Sequence, residues 1–170
     1  MSFWNLFSNN QEIEKNECHL QGKIRELLPS ATDETHIIVA CVAGLMARVA
    51  FSDMVIEKQE VEQMKKSLGQ FAILDEDQTS ATVQIALEDV KSLCGIENYM
   101  YTDPLSTMLT SAQRFDLLKA LFKIAASDGV AEDVESEEIR LITKGLLLET
   151  KHFIAARATV AESIGALKKD

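Results

Sequence analysis

The sequence predicts an all-α fold of about seven helices, arranged as two pseudo-repeated helical units around two central apolar helices. Three observations predict it. Apolar residues recur at helical spacing along most of the chain. Only 2 prolines and 7 glycines punctuate 170 residues, too few for a many-stranded sheet. One passage also occurs twice: ARVAFSDMVIEKQEVEQM (47–64) aligns without a gap on FKIAASDGVAEDVESEEI (122–139). The alignment sets Ser52-Asp53 on Ser127-Asp128, Glu57 on Glu132 and Glu60 on Glu135.

Residues 1–10, MSFWNLFSNN, form an N-terminal apolar segment. Phe3, Leu6 and Phe7 fit one face of a short helix, with the only tryptophan, Trp4, beside them. The segment lacks the basic region and long apolar run of a signal peptide. Its expected place is the protein's own core, and the alternative is a partner or peripheral membrane contact.

Residues 11–170 read as a single helical domain, with repeat units at about 33–94 and 110–167. A first helix over 12–28 carries Ile13, Leu20, Ile24, Leu27 and Leu28, and Pro29 stops it. Ser30-Ala31-Thr32-Asp33 resembles a capping box. The helix it opens, Ile37 to Phe51, is apolar nearly all round apart from Arg48, and is too short to span a bilayer. A more polar helix follows over about 58–72, with Val61, Met64, Leu68 and Phe71 inward. Another runs over about 79–94. Gly95 to Asp103, with Pro104 beyond, is the expected connection.

The second half repeats the plan. Thr110-Ser111-Ala112-Gln113 resembles another capping box. The central helix behind it carries Leu117, Leu118, Leu121, Phe122 and Ile124, and ends near Ser127-Asp128-Gly129. The next helix carries Ile139, Ile142 and Leu146. The last carries Phe153, Ile154, Ala158, Val160, Ile164 and Leu167, with Lys168 and Lys169 suiting its C-terminal end.

A formal net charge of −10 and a pI near 4.8 argue against non-specific nucleic-acid binding and against docking on an anionic membrane. They are compatible with cations or basic partners, and the first expectation is simply solubility. The 3 cysteines, Cys18, Cys41 and Cys94, are widely spaced and indicate neither a disulfide framework nor a zinc site. The expected compartment is the cytoplasm. His19, His36 and His152 are scattered, no nucleophile arrangement or phosphate loop appears, and no enzyme activity is expected.

The repeated polar positions are carboxylates. In each copy an Asp ends the apolar helix, and glutamates follow four and seven positions later: Asp53, Glu57, Glu60 and Asp128, Glu132, Glu135. Three such groups on one turn would offer hard oxygen ligands for Ca²⁺ or Mg²⁺, in two sites or in one shared site. The same residues also suit helix starts, where a glutamate reaches back to the backbone and negative charge meets the helix dipole. The spacing is not that of an EF-hand, because Ala126 and Ile124 would fall on ligand positions. Arg48 and Lys123, five residues before each Asp, read either as surface groups or as cations that pair with these carboxylates and take the place of a metal. The acidic run Glu132, Asp133, Glu135, Glu137, Glu138 reads as a solvated helix face.

The order apolar helix, Ser-Asp-Gly, spacer, Glu, amphipathic helix, clearest in LLKALFKIAASDGVAEDVESEEIRLI, resembles the TerB-like family, named for tellurite resistance and similar to the N-terminal domain of the co-chaperone DjlA. The resemblance covers about Ile37 to Val160. It implies a compact all-α fold and a metal-chelating role for Asp53, Glu60, Asp128 and Glu135, with Glu57 and Glu132 weaker. Met54 stands where the second copy has Gly129, which makes the first turn the less open one. Two functions are expected from this. The first is a non-enzymatic protein that binds a divalent cation in a tellurite or stress response. The second is a helical interaction module, with a protein partner or as a homodimer, whose carboxylates only cap helices.

Overall fold

The computed structural model describes residues 19–92, 98–129 and 131–167. Among these residues it forms eight helices and no strand: α1 (His19–Leu27), α2 (Asp33–Ala50), α3 (Lys58–Leu68), α4 (Glu76–Ser92), α5 (Tyr99–Met108), α6 (Ser111–Ala125), α7 (Asp133–Gly145) and α8 (Thr150–Leu167). The all-α class is therefore borne out. The N-terminal apolar segment, the first part of the expected 12–28 helix, and residues 95–97 of the expected connection lie outside the described residues.

α2 is the central helix. Of its 18 residues 13 are buried, which leaves no solvent face to speak of. Six helices (α1, α3, α4, α5, α6 and α7) pack around it. α6 is the second hub, against α2, α3, α7 and α8. Leu117, Leu118, Leu121, Phe122 and Ile124 fill its inner face, and Phe122 meets Phe153 of α8 edge-on at 5.1 Å. The packing of the two hairpins is reciprocal: α3 leans on α6 and α7 leans on α2. Each acidic turn is thereby brought beside the other.

The eighth helix, α5, corrects the expected connection. Pro104 lies inside it, where it removes one amide donor. The helix holds because Tyr101, Thr102 and Leu105 are buried against α2 and α7, and burial outweighs local propensity. Gly44 of α2 makes room for Tyr101: a Cβ there would stand 2.5 Å from the tyrosine Cε1.

Several boundaries shift for local reasons. α2 is capped by Thr32, which accepts from the Thr35 amide at 3.2 Å, and not by Ser30. α3 stops at Leu68, so Phe71 falls in the loop. α4 starts early because Asp75 accepts from the Gln78 amide at 2.8 Å while Gln78 accepts from the Asp75 amide at 3.1 Å. The Thr110–Gln113 box at α6 is present as expected. In α8 Ala156 and Val160 are buried and Phe153 and Ile164 pack against the core, while Ile154 (61 % exposed) and Ala158 face outward, contrary to expectation.

Candidate functional site

The two acidic turns share their helix ends and their hydrogen-bond pattern, and differ in backbone at the residue after the Asp. α2 and α6 end at Phe51 (φ −104, ψ 8) and Ala126 (φ −97, ψ 10). The amides of Ser52 and Ser127 then donate to the Val49 and Ile124 carbonyls at 3.2 and 3.1 Å. Met54 and Gly129 each close a further turn, onto Phe51 and Ala126, at 3.0 and 3.1 Å. Both have positive φ, 68° at Met54 and 151° at Gly129. Asp53 Oδ1 accepts from the Val55 amide at 2.9 Å, which holds the first turn tight.

Glu57 and Glu132 are the N-caps of α3 and α7. Three residues on, Glu60 Oε2 accepts from the Glu57 amide at 2.7 Å, and Glu135 Oε2 accepts from the Glu132 amide at 2.8 Å. Glu57 and Glu132 turn their own side chains toward the amides of Glu60 and Glu135, so each pair forms a capping box. The carboxylates thus start these helices, as the capping argument expects.

They do more than that, because Glu60 and Glu135 are buried, with 5 % and 7 % of their surface exposed. They come close enough for a hydrogen bond between their carboxyls when one is protonated. Burial pushes the Glu60 carboxyl up to about 7, opposed by the Glu57 amide and reinforced by the charges of Glu135 and Asp53. Burial also raises Glu135, again opposed by its capped amide, with Asp128, Asp53 and Glu132 adding to the rise. The charges acting most on both glutamates are other carboxylates.

The expected grouping of Asp, Glu and Glu within one turn is not what the structure brings together. Asp53, Glu57, Asp128 and Glu132 are exposed. The buried pair is Glu60 with Glu135, one from each turn. Among the described residues, no three His, Cys, Asp or Glu side chains form a ready-made metal cage.

Two further expectations are corrected. The acidic run on α7 is not wholly solvated, because Glu135 is buried and Glu138 keeps only 18 % of its side chain exposed. Arg48 is expected beside the turn carboxylates, but its Nε donates to Glu138 Oε1 at 3.2 Å. Asn98 Nδ2 donates to the same oxygen at 2.9 Å, tying α2, α7 and the start of α5 together. Lys123, its counterpart, is exposed. Sequence reasoning missed Glu138, whose only signal was its spacing three residues after Glu135 on one helical face.

An all-helical protein built around two paired acidic turns is the class that this fold and site define. The family model of tellurite resistance protein TerB matches residues 39–158, and the chain belongs to that family. The matched span contains both turns. No curated protein and no solved structure gives a match. No helix among the described residues is long and apolar enough to cross a membrane.

Proposed function

We propose that this TerB-family protein binds a hard divalent cation, Ca²⁺ or Mg²⁺, between its two acidic turns and acts as a non-enzymatic binding protein. One observation carries the reading: Glu60 and Glu135 are buried together while the main charges around them are negative. Burying like charges is costly, and a divalent ion between them would offset that cost. Carboxylate oxygens favour Ca²⁺ or Mg²⁺ over thiolate-seeking metals.

The residues fit such an ion. Each glutamate gives Oε2 to its capped amide and keeps Oε1. The hydroxyls of Ser52 and Ser127, next to the two Asp residues, are buried and have no hydrogen-bond partner among the described residues. Glu60 and Glu135 would hold the ion, Asp53 and Asp128 would supply charge at the rim, and Glu57 and Glu132 would contribute least. The family's name supports a setting in tellurite resistance, and the compartment expected from the cysteine usage is the cytoplasm. Because the repeated motif pairs no histidine or cysteine with its carboxylates, the reading is of binding and not of catalysis.

A second reading rests on the two capping boxes. There the carboxylates only start helices, and the protein is a helical interaction module that engages a partner protein or a second copy. Glu60→Gln/Glu135→Gln separates the two, since glutamine keeps an acceptor oxygen for the cap but loses the charge. Calorimetric titration with Ca²⁺ and Mg²⁺ should show binding tighter than millimolar in the wild type and none in the variant. The melting temperature of the wild type should rise with added ion. No heat and no rise in the wild type would leave the capping reading.

A further inference from the structure

We propose that the N-terminal segment Phe3–Phe7 docks intramolecularly in a groove between the α1–α2 turn and the α3–α4 loop. The groove encloses about 600 Å³. That is within the roughly 300–1,000 Å³ range of sites that engulf a compact apolar ligand. Its walls include Leu28, Ile38, Phe71, Ala72 and Leu74, and fully exposed Ile73 stands on its rim. A smaller recess continues it past Ile38 and Phe71 to Leu109, and there Gln113 and Asp116 join the lining. Charged residues make up 26 % of the chain, yet none of the described residues lining the main groove is charged. Ser30, Thr32, Thr35, Gln70 and Gln78 add uncharged polar groups to the apolar wall, so the trough suits an uncharged occupant that carries both apolar and polar side chains.

The chain supplies one. Residues 1–10 contain no charged side chain and hold Phe3, Trp4, Leu6 and Phe7. Large aromatics of this kind bury roughly 150–250 Å² each when covered. Charge begins at Glu12 and continues through Glu14, Lys15 and Glu17, so the apolar part ends before α1.

The reach is sufficient. α1 has 9 residues and runs about 13 Å. Its last residue, Leu27, adjoins Leu28 on the groove wall, while His19 at its other end bonds Asp89 of α4 at 2.9 Å. A segment attached at His19 must therefore return along α1 to reach the groove. Residues 8–18 supply the tether, with a maximum span of about 36 Å when extended.

Trp4 is the only tryptophan, so its fluorescence reports on the surroundings of this segment. The experiment uses the full chain at low micromolar concentration. Emission and acrylamide quenching are recorded for the wild type, for Ile73→Glu, for Ala72→Glu and for the urea-unfolded chain. Far-ultraviolet circular dichroism checks the fold of each variant. Docking predicts blue-shifted emission in the wild type and quenching several-fold weaker than in urea. It also predicts loss of that protection in both variants, with helicity retained. Trp4 as accessible in the folded wild type as in urea overturns the proposal. Protection that survives both substitutions overturns it too. Protection that fades on dilution assigns the groove to a second copy, and protection that appears only with anionic vesicles assigns the segment to a membrane; either result overturns intramolecular docking.

Discussion

Glu60 and Glu135 meet carboxyl to carboxyl, although each belongs to a different half of the chain and each also caps its own helix. The pair makes stability depend on pH in a defined direction. Glu60 rises from an ordinary 4.5 to about 7 on folding, so between these values the folded state holds a proton that the unfolded state has lost. Its contribution is complete below pH 4.5 and is lost as pH rises through 7. At about 1.4 kcal/mol per pH unit, the loss amounts to about 3 kcal/mol at most. With chelator present, wild type should therefore weaken between pH 5 and 8 relative to Glu60→Gln. Urea denaturation at both values checks this, and parallel curves for the two proteins would refute it.

The two turns should respond oppositely to the same exchange. Met54, 70 % exposed, holds φ 68, and Gly129 holds φ 151. Met54→Gly removes left-handed strain with little packing loss and should stabilise by about 0.5–1 kcal/mol. Gly129→Met forces a side chain into a region reserved for glycine and should cost about 1–3 kcal/mol. Leu147, at φ 54 just past α7 and 71 % exposed, should behave like Met54 on replacement by glycine. Thermal melts of the three variants rank the effects.

Two glycine-to-alanine changes on helices should also differ in sign. At Gly22 of α1 an added Cβ meets nothing within 4 Å, so Gly22→Ala should gain about 1 kcal/mol from helix propensity alone. At Gly44 of α2 the Cβ would come within 2.5 Å of Cε1 in the buried Tyr101 ring. Overpacking of about 1–3 kcal/mol there should cancel or exceed the propensity gain. If Tyr101→Leu rescues Gly44→Ala, the ring contact is the cause. If the single variant melts above wild type, that account of α5 docking fails.

Local signals explain what could be read from the sequence. The Thr110–Gln113 box, the apolar α2 and the duplicated acidic turns are each written within a few residues, and each appears in place. The Asp75–Gln78 box is just as local, and it starts α4 at Glu76, ahead of the expected start near Thr79. α5 was hidden by Pro104, because the burial of Tyr101 and Leu105 that holds it depends on α2 and α7. The Glu60–Glu135 encounter was hidden for the same kind of reason. Spacing puts both residues in first turns, but only the reciprocal crossing of α3 on α6 and α7 on α2 brings them together.

Neighbouring glutamates on α7 give the sharpest test of what the fold adds to an acidic run. Glu137 pairs with Arg140 one turn away on the surface, and that pair holds its carboxyl below the usual range. Glu138 receives Arg48 and Asn98 from two other helices and is largely covered. Glu137→Ala removes a local, solvated pair and should leave the melting curve almost unchanged. Glu138→Ala withdraws the acceptor from two partly buried donors, at a cost of about 1–3 kcal/mol. The loss should also appear in the native-state hydrogen exchange of α5, whose first residue follows Asn98 directly. Faster exchange at Tyr101 and Thr102 in Glu138→Ala, unmatched in Glu137→Ala, is the expected outcome. Equal exchange in both variants would mean that the Arg48–Glu138–Asn98 link does not hold α5.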